Sequence, residues 1–78
     1  MYITYILYSK RIKKYYTGQT IDLERRLEEH NRGKTAFMSS GRPWTLIYSR
    51  EFETRKEAIH HESEIKKRGA ERFFSSNR

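Results

Sequence analysis

The chain has 78 residues, which is enough for one small domain and leaves little room for a separate regulatory module. It contains no cysteine, so disulfides and thiolate metal sites are excluded. Seventeen Lys and Arg against ten Asp and Glu give a net charge of +7, which favours a nucleic-acid partner, although a basic surface that only keeps the protein soluble would carry the same charge.

The first residues and the apolar runs bear on localisation. Residues 1–7 lack the basic leader and the small-residue cleavage site of a signal peptide. No apolar run approaches the roughly 20 residues that are needed to cross a bilayer. We therefore expect a soluble, cytoplasmic protein that does not interact with membranes.

The chain begins with a predicted antiparallel hairpin. Residues 2–8 are almost all aromatic or β-branched, which indicates a strand with two buried faces. A polar turn over residues 9–14 precedes a short second strand at residues 15–17, which Gly18 ends. Gly18 lies two positions after Tyr16 on the same face, so its missing side chain predicts open space where a ligand backbone can approach.

A first helix is predicted after the hairpin. Asp22 is its predicted N-cap, the helix runs to about residue 31, and Gly33 ends it. One face of this helix carries two apolar and two polar side chains, Leu23, Leu27, Arg26 and His30. Taken singly, an arginine that extends past the edge of a core and a solvated histidine are the more common interpretations of the two polar ones.

A loop and a third strand follow. Residues 34–45 contain a glycine, a proline and several small polar residues, which indicates a loop. Loops of this length in small domains tend to be functional or mobile. Residues 46–52 form the third predicted strand.

The last predicted helix carries an unexpected carboxylate. Thr54 and Glu57 have the spacing of a capping box, so the helix should run from there to about residue 68, with a short helical turn in residues 70–78. On this helix the apolar stripe of Ala58 and Ile65 also includes Glu62. A carboxylate in such a stripe needs a compensating cation, so Glu62 either has a functional role or lies at the margin of the stripe and pairs with Lys or Arg, and periodicity does not separate these two.

The order of the predicted elements is β-β-α-β-α. A hairpin at the start and a mixed order argue for an α+β fold, in which a three-stranded antiparallel sheet is flanked by helices, rather than for a doubly wound parallel sheet. We expect residues 1–78 to form one domain.

At this point the sequence resembles the GIY-YIG nucleases. Residues 4–6 (Thr-Tyr-Ile) and 16–18 (Tyr-Thr-Gly) are similar to the two tripeptides of that family, and the helix with Arg26 follows the second one at the family's spacing. Glu62 falls where the family has its metal-binding glutamate. The resemblance covers about residues 2–68, and it is greatest to the small stand-alone excinuclease-like proteins of the UPF0213 type.

Some positions depart from the family pattern. Thr4 replaces the Gly of the first tripeptide, and Thr17 replaces the Ile of the second. Gln19 stands where the repair nucleases of the family have Lys, which removes one phosphate contact. The usual C-terminal asparagine of the family has no secure equivalent, and we do not assign Asn77 to it.

The resemblance implies catalytic roles for five positions. Tyr5 would orient the attacking water, and Tyr16 would act as the general base on it. Arg26 would bind the scissile phosphate, and His30 would lie near that phosphate and the Tyr16 hydroxyl. Glu62 would ligate one divalent cation, Mg²⁺ or Mn²⁺. A free tyrosine has a pKa of about 10, so a tyrosine base requires surroundings that lower this pKa.

Further side chains are candidates for contacts with nucleic acid. Lys34, Arg42 and Trp44 lie in the predicted loop and would contact the phosphate backbone or stack on a base, while Trp44 as an anchor of the core or the loop is the more common alternative. Lys66 would extend the basic surface, and a solvated helix end would look the same. Gln19, next to the second tripeptide, is the fifth candidate.

Three functions compete. The resemblance implies a metal-dependent endonuclease that hydrolyses DNA in repair or processing, with branched, damaged or single-stranded DNA as the candidate substrates. We expect no equivalent of the extra DNA-binding domain of larger relatives, so the resemblance implies that a protein partner supplies target specificity. The alternative is a catalytically weak or inactive nucleic-acid-binding module with the same fold, whose affinity would fall steeply with salt. A partner-binding accessory protein is the third.

Overall fold

The structure is a computed structural model that describes residues 1–76. Three strands form an antiparallel sheet in the order β2-β1-β3: β1 (Tyr2–Ser9), β2 (Lys14–Thr20) and β3 (Thr45–Phe52). The helices of these residues are α1 (Leu23–Arg32), α2 (Ala36–Ser40), α3 (Arg55–Arg68) and α4 (Ala70–Ser76). No helix within residues 1–76 has both the length and the apolar character that a membrane crossing requires.

The predicted α+β class and the three-stranded antiparallel sheet are confirmed, whereas α2 and β2 differ from the prediction. The segment predicted as a loop contains α2, where the Thr35 side chain accepts a hydrogen bond from the Met38 amide at 3.2 Å. This helix is one short turn, and its anchor is the buried Met38 side chain rather than a periodic pattern. The tail forms α4 up to Ser76, and Asn77 and Arg78 lie outside the described residues.

β2 is longer than predicted. It continues through Gly18 to Thr20, and Gly18 pairs with Tyr5 of β1. Gly18 therefore lies inside the ladder instead of ending the strand, because its pairing with Tyr5 across the sheet, and not the local sequence, decides where the strand ends.

The predicted ends of the two long helices are confirmed. The Asp22 carboxylate accepts a hydrogen bond from the Arg25 amide at 3.1 Å, and Gly33 takes the left-handed conformation, with φ +72°, that ends α1. Thr54 and Glu57 form the reciprocal capping box at the start of α3. These caps fix the phase of each helix and so decide which side chains face the sheet.

One face of the sheet packs against α1 and α2. Successive residues of a strand point to opposite faces, and on this face β1 contributes Tyr5 and Leu7. Both are fully buried and cluster with Met38 and Trp44. The leucines of α1 pack against the same cluster, so this face holds α1 in place above β1 and β2.

The other face packs against α3 and α4. The Thr4 hydroxyl donates a 2.7 Å hydrogen bond to the Ala58 carbonyl of α3, and Ile6 clusters with Ile65 and Phe73. α3 contacts both β1 and β2. Its position brings the middle of α3, where Glu62 lies, to the part of the sheet that carries Tyr5 and Gly18.

Candidate active site

Gly18 makes room for the Tyr5 ring. A Cβ atom on Gly18 would lie 2.7 Å from Tyr5 Oη and 3.1 Å from Tyr16 Cε2. The prediction that Gly18 leaves open space for a ligand is therefore wrong, because the phenol of Tyr5 fills that space. The glycine lets the Tyr5 hydroxyl cross β2 and come close to Tyr16, with the two ring centroids 6.3 Å apart.

His30 is held between two side chains of this face. It is only 7% exposed, so the interpretation of a solvated histidine is wrong. Its Nε2 atom is 3.0 Å from Tyr5 Oη and its Nδ1 atom is 2.8 Å from Met38 Sδ. A thioether sulfur only accepts hydrogen bonds, so Nδ1 carries the proton of a neutral imidazole and Nε2 accepts from the Tyr5 hydroxyl. His30 also packs on Tyr16, with the ring centroids 4.6 Å apart.

Burial keeps both members of the Tyr5–His30 pair uncharged. Burial and the neighbouring Tyr16 raise the pKa of Tyr5 well above its ordinary value, although Arg26 opposes this shift. Burial and then the Arg26 charge lower the pKa of His30. At neutral pH, Tyr5 is thus a fixed hydroxyl donor and His30 a fixed neutral acceptor, which leaves the Arg26 guanidinium as the charged group beside them.

Arg26 lies at the mouth of a cleft. Its positive charge acts on the Tyr5 hydroxyl and opposes the rise of that pKa, and its Nε atom is 3.3 Å from Glu29 Oε1. The side chain is 41% exposed, so it reaches past the core edge to solvent, as the sequence predicted for a long arginine. Tyr16, Arg26 and His30 line an open cleft of about 610 Å³. The cleft gives a phosphate oxygen access to the guanidinium and to the Tyr16 ring edge.

Glu62 lies at the margin of the α3 stripe and has a cation beside it. Its side chain is 20% exposed, and Lys66 Nζ is 2.8 Å from its Oε2 atom. The Glu62 charge also contributes to the raised pKa of Tyr5, so the carboxylate is electrostatically coupled to the buried phenol. The ion pair with lysine, one of the two alternatives for Glu62, is present. It does not exclude a functional role, because the Glu62 charge still acts on the pKa of Tyr5.

The donor set at Glu62 fits a hard divalent cation that keeps most of its water. No group of three His, Cys, Asp or Glu side chains within residues 1–76 converges as a metal cage. Mg²⁺ is commonly bound through one or two carboxylates together with water and substrate phosphate oxygens, and it does not need such a cage. Glu62 supplies one such carboxylate, and a cation bound there would compete with the Lys66 ammonium for it.

Two of the predicted nucleic-acid contacts lie near the cleft. Lys34 lines the cleft, and its Nζ atom is 3.7 Å from Glu29 Oε2. Arg42 is exposed and folds back onto α2, where Nε and Nη2 lie 3.4 Å from the carbonyl and the hydroxyl oxygen of Ser39. Lys34 therefore presents its charge to the cleft, whereas the Arg42 guanidinium is partly used within the fold.

Trp44 does not meet the requirement for base stacking. It is 3% exposed, and its indole nitrogen donates a 3.0 Å hydrogen bond to the Met38 carbonyl. Its backbone amide donates to Asn31 Oδ1 at 2.6 Å. The prediction of a stacking tryptophan is wrong because the ring is already packed in the core, and the alternative of an anchor is confirmed.

Gln19 and Lys66 lie on the α3 side. Gln19 pairs with Thr4, whose side chain bonds to α3, so the Gln19 side chain lies on the face opposite Arg26. Its Oε1 atom is buried, with no hydrogen-bond partner among the described residues. Lys66 is the partner of Glu62 and is 59% exposed. These two positions are closer to the carboxylate side of the site than to the cleft.

Two residues that hold the side chains of the site in place were not predicted from the sequence. Met38 orients His30 from α2, and Glu29 contacts Arg26 from the next turn of α1. The three-residue spacing of Arg26 and Glu29 on a helix was the available signal for the second. No local signal identifies Met38, because the helix that carries it is only five residues long.

Comparison with known proteins gives one family. A model of the GIY-YIG catalytic domain matches residues 1–73. A UPF0213 protein of Halobacterium salinarum is 45% identical over 53 residues, which are 67% of this chain and 69% of that protein. UPF0213 proteins of Haloquadratum walsbyi and Staphylococcus aureus are 48% and 44% identical over 52 residues, or 65% of this chain, and the match spans 58% and 63% of their own lengths. No solved structure matches the chain.

Proposed function

The chain belongs to the GIY-YIG catalytic-domain family, and on that premise we propose that it is an endonuclease that hydrolyses phosphodiester bonds in DNA with one divalent cation. The observation that carries the proposal is the Arg26 guanidinium, whose charge acts on Tyr5 and which lines an open cleft together with Tyr16 and His30. A fixed cation of this kind, set among uncharged aromatic groups, suits a substrate whose transition state gains negative charge.

Arg26 is the proposed phosphate-binding residue. In the free protein the Arg26 Nε atom lies 3.3 Å from Glu29 Oε1, which holds the guanidinium beside the cleft. A planar guanidinium has five N–H donors, so donors remain for the non-bridging oxygens of a phosphodiester. The guanidinium charge then stabilises the negative charge that accumulates on those oxygens.

Tyr16 is the proposed general base. It lines the cleft beside Arg26, and in the proposed reaction its phenolate takes a proton from the water that attacks phosphorus, while the bond to the leaving oxygen breaks and that oxygen takes a proton from solvent. Tyr5 keeps its proton, because burial raises the pKa of its hydroxyl, so we assign it to orientation. His30 accepts the Tyr5 hydrogen bond and holds that phenol against Gly18.

Glu62 is the proposed ligand of Mg²⁺ or Mn²⁺. Its coupling to Tyr5 supports a carboxylate close to the reacting phosphate. When bound, the cation supplies Lewis-acid stabilisation of the phosphate and the leaving oxygen. The Lys66 ammonium, 2.8 Å from Glu62, balances the carboxylate charge in the free protein.

The substrate proposal follows from charge. The net charge of +7 and the exposed Lys34 beside the cleft support a polyanionic strand. We propose DNA that is branched, damaged or single-stranded, a role in repair or processing, and a protein partner that supplies target choice. We also propose that residues 1–78 form one domain.

Incubation with DNA tests the proposal. Supercoiled plasmid, a fork and a single strand are each incubated with the parent protein, with and without Mg²⁺ or Mn²⁺. We expect nicking that requires the metal and that falls by at least about 10²-fold in Glu62→Gln. The matched control is Glu64→Gln, which removes the same charge from an exposed position on the same helix and should cut like the parent. Equal activity of the two variants would rule out the role of Glu62.

The Glu62–Lys66 contact favours a second candidate. An ion pair of 2.8 Å satisfies the carboxylate without a metal, as it would in a module that binds nucleic acid without cutting it. Under that alternative the parent binds DNA in a salt-dependent way, cuts none of the three substrates, and Glu62→Gln binds as well as the parent.

A further inference from the structure

The Glu29 carboxylate is surrounded by three cations. Its Oε1 atom lies 3.3 Å from Arg26 Nε, and its Oε2 atom lies 3.7 Å from Arg25 Nε and 3.7 Å from Lys34 Nζ. Its side chain is 24% exposed, so it is the most enclosed member of the group. The three cations and this carboxylate are called the Glu29 cluster below.

The backbone brings the three positive charges together. Arg25 and Arg26 precede Glu29 by four and three residues on α1, so all three lie on neighbouring parts of one helical face. Lys34 follows the left-handed Gly33, which turns the chain back over the end of the helix. Three cations at one point repel one another unless an anion lies between them, and Glu29 is that anion here.

The Glu29 cluster lies between two depressions of the surface. Arg26 and Glu29 line both of them. On one side is the cleft of about 610 Å³ with Tyr16 and Lys34, and on the other is a smaller depression of about 310 Å³ with Arg25. A strand with one phosphate in the cleft would place a neighbouring phosphate at or beyond this cluster.

We propose that Arg25 and Lys34, which flank Arg26, form a binding site for the backbone phosphate next to the scissile one, and that Glu29 fills this site until a nucleic-acid strand displaces it. The proposal rests on the function proposed above. A phosphodiester and a carboxylate each carry one negative charge and offer two oxygens, so guanidinium and ammonium groups bind either one.

Displacement of Glu29 gives the site a selectivity. A single phosphate group must displace a carboxylate that belongs to the protein itself, and it has no second contact that keeps it at the site. A strand is attached at the cleft through one phosphate, so its next phosphate competes with Glu29 at a high effective concentration. The cluster therefore disfavours single phosphate groups and favours internal phosphates of a chain.

Removal of the Glu29 charge tests the site. Glu29→Gln is compared with Glu28→Gln, a matched control that changes the net charge equally at the adjacent position, where the carboxylate pairs with Arg32 at 3.9 Å. Binding of a fluorescein-labelled single strand and a duplex is followed by anisotropy in EDTA over a series of salt concentrations. We expect Glu29→Gln to bind about tenfold more tightly than Glu28→Gln, with the same salt slope, because the bound strand makes the same phosphate contacts in both proteins.

A second variant removes the gain. In Glu29→Gln/Arg25→Gln one of the three cations is missing, and affinity should return close to that of Glu28→Gln. Circular dichroism confirms that each variant is folded. Equal affinity of Glu29→Gln and Glu28→Gln would overturn the proposal, and so would weaker binding by Glu29→Gln, which would make Glu29 a positioning residue for Arg26.

The outcome is separable from that of the nuclease proposal. Binding is measured without metal, whereas cleavage is measured with Mg²⁺. If Glu29→Gln binds more tightly but no form of the protein cuts DNA, the phosphate site stands and the nuclease proposal fails. If the parent cuts DNA and the two Gln variants bind alike, the nuclease proposal stands and the phosphate site fails. A complete lack of binding by parent and variants at low salt overturns the phosphate site.

Discussion

The two faces of the sheet each contain a hydrogen-bonded tyrosine and histidine. On the α1 face, Tyr5 Oη lies 3.0 Å from His30 Nε2, and on the α3 face, Tyr48 Oη lies 2.9 Å from His61 Nε2. Burial is the largest cause that lowers the pKa of both histidines, and a nearby arginine adds to it in each case. The two pairs thus have the same chemistry and the same electrostatic trend.

Their surroundings differ. The Tyr5–His30 pair borders a cleft in which Arg26 carries its charge to solvent. Around His61, the rings of Phe52 and Phe73 pack with centroids 5.3 Å and 5.5 Å away. A tyrosine–histidine hydrogen bond alone is therefore a feature of packing. It indicates a candidate site only where an exposed cation and an open cleft lie beside it.

The largest expected difference concerns the two arginines. Arg26→Ala should lower the rate of DNA cleavage by about 10³-fold or more, because it removes the guanidinium that stabilises the phosphate charge. Arg50→Ala removes the arginine beside His61, which stacks 5.2 Å from the Phe52 ring, and should leave cleavage within about twofold of the parent. Rates are measured on plasmid with Mg²⁺, with thermal melts as the control for folding. Equal losses in both variants would end the distinction between the two faces.

The tyrosines give the next largest effect. Tyr16→Phe should reduce cleavage by about 10²-fold, since it deletes the proposed proton acceptor and keeps the ring that packs on His30. Tyr48→Phe should cut like the parent, while its free energy of unfolding falls by about 1 kcal/mol because His61 Nε2 loses a partner. Single-turnover cleavage and urea unfolding measure the two quantities. A Tyr16→Phe protein with parental activity would exclude Tyr16 as the base.

Gly18→Ala tests how tightly the first pair is built. The new Cβ atom would lie 2.7 Å from Tyr5 Oη, so the phenol must move away from His30. We expect the free energy of unfolding to fall by about 1 to 3 kcal/mol, and cleavage to fall with the displaced hydroxyl. Urea unfolding measures the first effect and plasmid nicking the second, and the NMR signals of the His30 ring report the displacement of the phenol. Unchanged stability together with unchanged ring signals would show that the close approach is unimportant.

The smallest effect is the dependence of stability on pH. A histidine whose pKa is lower in the folded state than its ordinary 6.5 gives its full contribution to stability above that pH, and the contribution is lost as the pH falls through the folded pKa. His30→Gln and His61→Gln should each reduce the difference in unfolding free energy between about pH 7.5 and about pH 5.5. Urea unfolding in EDTA measures it. A difference that stays parental in both variants would contradict the burial of the two rings.

Much of the fold followed from local sequence signals. The aromatic run of β1, the Asp22 cap of α1 and the Thr54–Glu57 capping box each act over a few residues, and the structure agrees with them. β2 was predicted too short because Gly18 lies in the ladder through its pairing with Tyr5. Such pairing depends on a residue 13 positions away, which a local pattern does not contain.

The site was less accessible to sequence reasoning than the fold. Arg26 and His30 on one helix face were predictable from their spacing, and the structure brings both to Tyr5. Whether His30 is buried depends on Met38, and α2 folds under it only in the assembled core. The burial of Trp44 has the same origin, because its indole bonds to the Met38 carbonyl of that helix.

Glu62 lies on α3, and the proposed function requires it to bind a cation close to Tyr5, Tyr16 and Arg26. The most direct test is a titration of isotope-labelled protein with Mn²⁺, which broadens the NMR signals of nuclei close to it. We predict that Tyr16 and Arg26 side-chain signals broaden, and that Glu62→Gln abolishes the effect while Glu64→Gln retains it. Broadening that leaves the Tyr16 and Arg26 signals unchanged, or broadening that survives in Glu62→Gln, would contradict the proposal.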